Sequence, residues 1–542
     1  MKNNNGNVKL VRNSGIILAI LLYTAIRFLI IGKSQVIGAA YFFSAFDFVL
    51  LFIIGGGFCI LDVISKHSKA QMDLDFFRNA KRVLRYGSII GFLYAGLISV
   101  VILLLQDTIC EKLLAGANSK MALLWLLPML IFVCISAAFK GFFMGAKRHK
   151  EAYLALALEM LISLICVIVC ISIMGKTGSK AAALMNDYKI LHAYQAGGAA
   201  LGLSIGSGIG LIIDFVMYVL LSKQLLLIDE TKRMVDVYDL TIQLVSEMLF
   251  LGVSMFIPLF AVFVSQAIYV AGTAELPRST SLYGLGAFYG IFGTVVTGFV
   301  LFSYCYAFFD KKVLGIAFTD YNRQELRSKV NNMIKLFFIY ALPFAAMIIA
   351  MADVIVAGFI GEESALAANL IRAGMIAAVF YAFGIMFMNI LIAINKTFTA
   401  IINGIVALIL EAVFLFFLLN KFQMGTTGLV LGFYAFSIVF ALLSYISACN
   451  GLKNKPKLIK NMIGPVIIAA VTGILALVLK LIFGLFIKIA LVNVIITSVI
   501  CLIVMFITYI KMGVTDYHHV SKSPISFILV PFGQIIGLFK RK

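Results

Sequence analysis

Residues 13–60 hold two apolar runs, NSGIILAILLYTAIRFLII and AAYFFSAFDFVLLFIIGGGFCI, parted by the short polar stretch GKSQVIG. Each is long enough to cross the roughly 30 Å hydrocarbon core of a bilayer as a helix. Comparable runs recur near 86–106, 121–141, 151–174, 196–221, 241–269 and 281–305, and again near 333–359, 366–395, 397–419, 424–449, 462–484 and 486–510. Inside lipid every backbone N–H and C=O needs a partner within the protein, which leaves helices or a closed barrel. The runs are continuous rather than alternating, which excludes the barrel. A chain of 542 residues that is 63% hydrophobic and only 13% charged is therefore an all-α polytopic membrane protein with about fourteen spans.

The formal charge of +20 would suggest a nucleic-acid partner in a soluble protein. Here it follows from the positive-inside rule. An amino terminus placed inside gives an about threefold excess of Lys and Arg on that side. Both termini are then cytoplasmic, the span number is even, and no nucleic-acid role is expected. This count leaves Arg27 and Arg372 as the basic residues within spans. The first run has no small-residue cleavage site after it and is expected to stay as an anchor. The eight cysteines fall mostly inside apolar runs and make no CxxC or Cys/His cluster, so they read as packing residues with no metal site. The five histidines are expected in loops or the tail. The segments 65–87 and 310–335 are basic and amphipathic and are expected at the lipid surface. The apolar piece at 525–538 is too short to span.

A weak internal repeat is present. GFFMGAKRHKEAYLALALEML (141–161) and NILIAINKTFTAIINGIVALI (389–409) each put a short basic turn between long apolar helices. AGGAALG opens helix six and MGTTGLVLG opens helix twelve. A six-helix unit repeated in the same orientation gives two lobes related by an axis normal to the membrane. The expected organisation is an amino-terminal lobe at 1–235, a second lobe at 236–455, and two further helices with a basic tail at 456–542, with a central cavity between the lobes.

A charge at membrane depth costs at least about 2.5–3.5 kcal/mol and demands a partner, a wet cavity or a route to the interface. Arg27 and Asp47 lie in the first two spans and are candidate walls of a polar chamber, and with Glu159 they make up the expected substrate-cavity set. Glu159 and Glu411, at mid-helix, are candidate proton or cation carriers. Asp214 and Asp353 sit nearer helix ends and read as structural, and Arg372 as an interface anchor. Gly198, Gly202, Gly206 and Gly210 recur every four residues on helix six, a stripe that lets another helix approach closely. Gly286 and Gly290 form a similar pair on helix eight. Pro258 and Pro343 lie inside apolar runs and are expected to bend them.

YNRQELRSKVNNMIKLFFIYALPFAAMIIAMADVIVAGFIG (321–361) and the two basic-turn hairpins resemble the flippase branch of the multidrug/oligosaccharidyl-lipid/polysaccharide exporter superfamily, which includes stage V sporulation protein B-like, O-antigen/capsule and lipid II flippase families. The resemblance covers nearly the whole chain in order. It implies two six-helix lobes plus two carboxy-terminal helices, and a substrate that is a polyprenyl-pyrophosphate-linked saccharide carried from the inner to the outer leaflet. It implies a basic residue such as Arg27 facing the pyrophosphate. It also implies a cation site in the second lobe, for which Glu247, Asn403, Glu411, Thr426 and Thr427 are the matching positions, with Na+ or H+ as the coupling ion and no other cofactor. Membrane lipids and the lipid-linked saccharide are the expected partners of a monomer in the bacterial plasma (inner) membrane.

The chain departs from lipid II flippases in having few basic and many acidic span residues, which keeps a cation-antiport multidrug exporter as the alternative. The two extra helices speak for the flippase. No HExxH, GxSxG or GxxxxGK[ST] motif occurs, and no large catalytic loop suggests a glycosyltransferase, so a non-enzyme is expected.

Overall fold

The computed structural model describes residues 2–225, 229, 231, 234–303, 323–360, 365–453, 458–487 and 489–511. Cys305, the first part of the 310–335 segment, the 525–538 piece, His518 and His519 lie outside the described residues. Among the described residues, thirteen helical stretches are long and apolar enough to cross a membrane. The first of them, Gly15–Met72, is a hairpin, so the expected count of fourteen holds. The helices are α1 (2–34), α2 (36–72), α3 (Phe77–Lys112), α4 (Lys120–Gly145), α5 (His149–Met185), α6 (Tyr188–Leu225) and α7 (Val237–Gly272). They continue as α8 (Arg278–Ser303), α9 (Arg323–Ile360), α10 (Ala365–Ala393), α11 (Thr397–Asn420), α12 (Gly425–Leu452), α13 (Leu458–Phe486) and α14 (Ala490–Lys511). Most run past the hydrocarbon-length segments read from the sequence. The basic stretch at 65–87 is therefore mostly α2 and α3, with a turn at 73–76. His67, His149 and His192 likewise lie in helices, not in loops.

The break between α1 and α2 is a single residue, Gln35, with φ 59° and ψ −175°. Such a φ is uncommon for a residue other than glycine. In one continuous helix Arg27 and Asp47 would stand about 30 Å apart. The guanidinium lies 3.7 Å from the carboxylate instead, so the chain folds back at Gln35 and the two arms face each other.

A π-helical turn interrupts α2 at Ile53–Phe58, around Gly55, Gly56 and Gly57. A π turn shifts the hydrogen-bond register and loosens carbonyls. The Tyr94 hydroxyl donates to the Phe52 carbonyl at 3.2 Å and the Cys59 thiol to Ile54 at 3.6 Å. A Cβ on Gly252 of α7 would lie 2.6 Å from the Gly55 carbonyl oxygen, and the Tyr94 ring occupies the space beside Gly56. Removing the Tyr94 hydroxyl deletes that bond, so Tyr94→Phe is expected to destabilise the protein by about 0.5–1.5 kcal/mol. Thermal unfolding of the detergent-solubilised protein checks this, and an unchanged transition would assign no anchoring role to the bond. A second π turn, Gly286–Phe292, interrupts α8 after its first two turns. Its Gly286 abuts the Val36 carbonyl, and a Cβ on Gly290 would stand 3.0 Å from that of Ala39.

The glycine stripe on α6 is a packing face, as its spacing predicts. A Cβ on Gly198 would lie 2.8 Å from the Cys170 carbonyl oxygen, one on Gly202 2.5 Å from Val167 Cα, and one on Gly210 2.6 Å from Glu159 Cγ. Gly206 faces Ser163. Four glycines one turn apart thus seat α5 against α6 along most of its length, which matters in lipid because no hydrophobic force drives helices together there.

The chain divides into two compact units, Met1–Gly290 with Leu415–Gly425, and Ile291–Phe414 with Thr426–Lys542. In the first, α4, α5 and α6 pack on one another, and α1 and α2 pack on them. In the second, α10, α13 and α14 pack on α9. The Tyr509 hydroxyl of α14 donates to the Ile339 carbonyl of α9 at 2.7 Å.

The two basic turns of the sequence repeat close in the same way, a form that α2 and α5 also use at Asp75 and Asn186. Between α4 and α5, Lys147 is left-handed (φ 60°); between α10 and α11, Asn395 is (φ 58°). The amide of the residue before it donates four positions back in each case, Ala146 to Phe142 at 2.8 Å and Ile394 to Ile390 at 3.1 Å. The amide of the residue after it reaches back five, Arg148 to Phe143 at 2.9 Å and Lys396 to Leu391 at 2.8 Å. The ammonium of Lys147 also pairs with Asp73 at 2.8 Å. That hydrogen bond holds the Asp73 carboxyl below its ordinary range.

Candidate functional site

Two buried charge clusters stand in the first unit. The Gln35 hairpin builds one of them. Arg27 projects from α1 and is 2% exposed, so it does not snorkel to an interface. Its guanidinium lies 4.4 Å from the Phe43 ring centroid, 5.6 Å from Phe46 and 5.9 Å from Tyr23. It donates to the Tyr23 hydroxyl at 3.3 Å and pairs with Asp47. Phe43, Phe46 and Asp47 fall on one face of α2 at helical spacing. A planar cation beside aromatic faces gains cation–π attraction, and its N–H groups are directed along its own plane, where Asp47 and the Tyr23 hydroxyl meet them.

The second cluster joins α4, α5 and α6. Glu159 does not stand with Arg27 and Asp47; it pairs with Lys140, whose ammonium also lies 3.3 Å from Asp214. Ser136 receives a hydrogen bond from Lys140 and donates one to Asp214. Lys140 is 6% exposed, Glu159 4% and Asp214 0%. Lys140 is a correction to the sequence reading, which counted it among loop residues. α4 in fact continues to Gly145 and buries it. The run FKGFFMG, apolar on both sides of the lysine, was the available signal.

In the second unit Asp353 of α9 is held between two bases. It accepts from Arg372 of α10 and from Lys480 of α13 at 2.8 Å. Lys480 is a further base inside a helix that the charge count assigned to a loop. The expected cation set is spread out. Asn403 of α11 donates to Ser447 of α12 at 3.0 Å. Ser447 lies about 31 Å along α12 from Thr426 at the rise of a helix, so Asn403 and the pair Thr426 and Thr427 stand at opposite ends of that helix. Glu411 is buried on α11, two turns beyond Asn403. Glu247 belongs to the first unit, where its carboxylate lies 3.0 Å from Lys66 and 3.4 Å from His67. Among the described residues no group of three or more His, Cys, Asp or Glu side chains could hold a metal ion.

No protein-family model matches the chain, and no curated protein matches it in sequence. Solved structures do match. One is a MATE transporter in complex with MaL6, at 16% identity and a TM-score of 0.61, covering 83% of this chain and 96% of that one. Another is a MOP-superfamily transporter from Pyrococcus furiosus, at 15% identity and a TM-score of 0.60, covering 82% and 96%; reversed polarity of its binding pocket suggests a different function for that protein. A third is the lipid II flippase MurJ in its inward closed conformation, at 16% identity and a TM-score of 0.56, covering 90% and 96%. The class so defined is a polytopic helical protein with the fold that MATE transporters and the lipid II flippase share. This chain has that fold, as the 321–361 stretch and the two basic turns led one to expect.

Proposed function

We propose that the chain is a membrane transporter of the flippase branch, carrying a polyprenyl-pyrophosphate-linked saccharide between leaflets by alternating access. The carrying observation is Arg27, an unsnorkelled guanidinium held among three aromatic rings and one carboxylate in the first helical hairpin. A pyrophosphate offers that guanidinium a multidentate partner and would compete with Asp47 for it. The proposed setting is a bacterial inner membrane with both termini cytoplasmic, supported by the distribution of Lys and Arg. Asn403 and Glu411 are the proposed residues for a coupling Na+ or H+ in the second unit.

A cation-antiport multidrug exporter is the second reading, because MATE transporters share the fold. Its charge argument was the acidic excess in the spans. Pairing weakens that argument: Asp47 lies against Arg27, Glu159 and Asp214 against Lys140, and Asp353 against Arg372 and Lys480. The flippase MurJ match extends over more of this chain than these MATE matches, 90% against 82% and 83%, while its TM-score of 0.56 is below their 0.58 and 0.61, so fold likeness favours neither reading.

Mass spectrometry of lipid co-purified with the full-length protein tests the proposal. A polyprenyl-pyrophosphate species is expected in the native protein. Hydrogen bonds to charged groups contribute about 1.5–3 kcal/mol, so Arg27→Ala is expected to lower its yield roughly tenfold or more. Absence of such a lipid, together with drug efflux restored in an efflux-deficient host, would establish the second reading instead.

A further inference from the structure

Lys140, Glu159 and Asp214 carry one base and two acids, all buried within three packed helices. With every group ionised the cluster would hold one uncompensated negative charge. Burying a lone charge in a low-dielectric interior is prohibitive, and such a group neutralises instead. A metal cation is a poor remedy here, because the Lys140 ammonium already occupies the point between the two carboxylates. A proton needs no such space.

The hydrogen bonds indicate where a proton belongs. Glu159 takes the direct bond from Lys140. Asp214 Oδ2 takes the Ser136 hydroxyl and stands at the longer 3.3 Å from the ammonium. Asp214 Oδ1 is buried with no hydrogen-bond partner among the described residues. An ionised carboxylate calls for donors on both oxygens, and Asp214 lacks them. On the helices packed against α4, α5 and α6, Arg27 of α1 pairs with Asp47 of α2, Lys66 and His67 of α2 with Glu247, and Arg78 of α3 with Asp229, while Arg82 of α3 donates to the Val235 carbonyl. About one turn along, the rings of Phe139 and Phe142 on α4 close on Tyr218 of α6, each with centroids 5.6 Å from it. Gly210 lets Glu159 lie across α6 to reach the lysine.

We infer that Lys140, Glu159 and Asp214 form a proton-binding site inside the first unit, with Glu159 as the counter-ion of Lys140 and the added proton carried on Asp214. Binding forms one O–H bond on Asp214 with a proton taken from water, and release returns it. Release requires water to reach α4, α5 and α6, so the site ties proton exchange to the packing of these three helices. The inference is independent of what the chain carries.

Infrared difference spectroscopy of the full-length protein in lipid nanodiscs at neutral pH tests it. The native protein is expected to show a protonated-carboxyl band that Asp214→Asn abolishes. Glu159→Gln is expected to abolish it as well, because Asp214 must then ionise to balance Lys140. Lys140→Met removes the base and is expected to raise the band about twofold, with both carboxyls protonated. A spectrum in which neither acid substitution alters the protonated-carboxyl band would overturn the site. So would a band lost only in Glu159→Gln, which would move the proton to Glu159.

Discussion

A chain carrying both Glu159→Gln and Asp214→Asn is expected to be less stable than the native protein by about 3–5 kcal/mol, the usual consequence of leaving a buried charge without its partner. The double change keeps the shape of the cluster and deletes both negative charges. Lys140 then faces amides and the Ser136 hydroxyl, with 6% of its surface exposed and no counter-ion. Asp214→Asn alone is expected to shift stability by less than about 1 kcal/mol, because an amide imitates the protonated acid and Glu159 still balances the lysine. Adding Lys140→Met to the double variant is expected to restore most of the loss, since a buried ion cluster is often replaceable by apolar side chains. Thermal unfolding of the three variants in one detergent separates these outcomes. A double variant as stable as the single one would show that the lysine is not a charge in need of compensation.

The second large effect is expected at Gly202. A Cβ there would sit 2.5 Å from Val167 Cα and 2.7 Å from the Val167 amide nitrogen. Backbone cannot swing aside as a side chain can, so α5 must move away along the whole stripe. Gly202→Leu is expected to cost at least about 3 kcal/mol, beyond the usual range for overpacking, because four close contacts loosen together. Gly96→Leu is the control. A Cβ at Gly96 meets nothing within 4 Å, and helix propensity alone predicts a gain of about 0.5–1 kcal/mol there. Yield and unfolding temperature of the two variants give the comparison. Equal behaviour would mean that α5 and α6 are not held by that seam.

Much of the fold could be read from apolar run length, because a bilayer leaves the backbone few alternatives. The Gln35 turn announced itself through the polar interval GKSQVIG. The glycine stripe announced itself through its four-residue spacing. Helix ends were less legible, since helices continue past the hydrocarbon into segments whose polar residues resemble loops. Lys140 escaped notice because the charge count joined it to the basic turn of Lys147, Arg148 and Lys150, although the 121–141 run contains it and α4 continues for five residues beyond it. The π turns were hidden for a different reason. Gly55, Gly56 and Gly57 mark a place where backbone comes close, but the shift in register depends on Tyr94 and Gly252, which reach it from other helices. Pairing was hidden too. Glu159 could be recognised as an expensive residue, while its choice of Lys140 over Arg27 is set by how α4 and α6 pack against α5.

The triad has a consequence for how the chain is made. α4, α5 and α6 each bring one ionisable side chain into the cluster, and an unpaired charge at the centre of a lone helix costs roughly 2.5–3.5 kcal/mol in hydrocarbon. Packed together, Lys140 and Glu159 balance each other and Asp214 is relieved of its charge by the proton. A helix inserted alone has no such relief, so entry of these three segments into lipid as a group is the expected order of assembly.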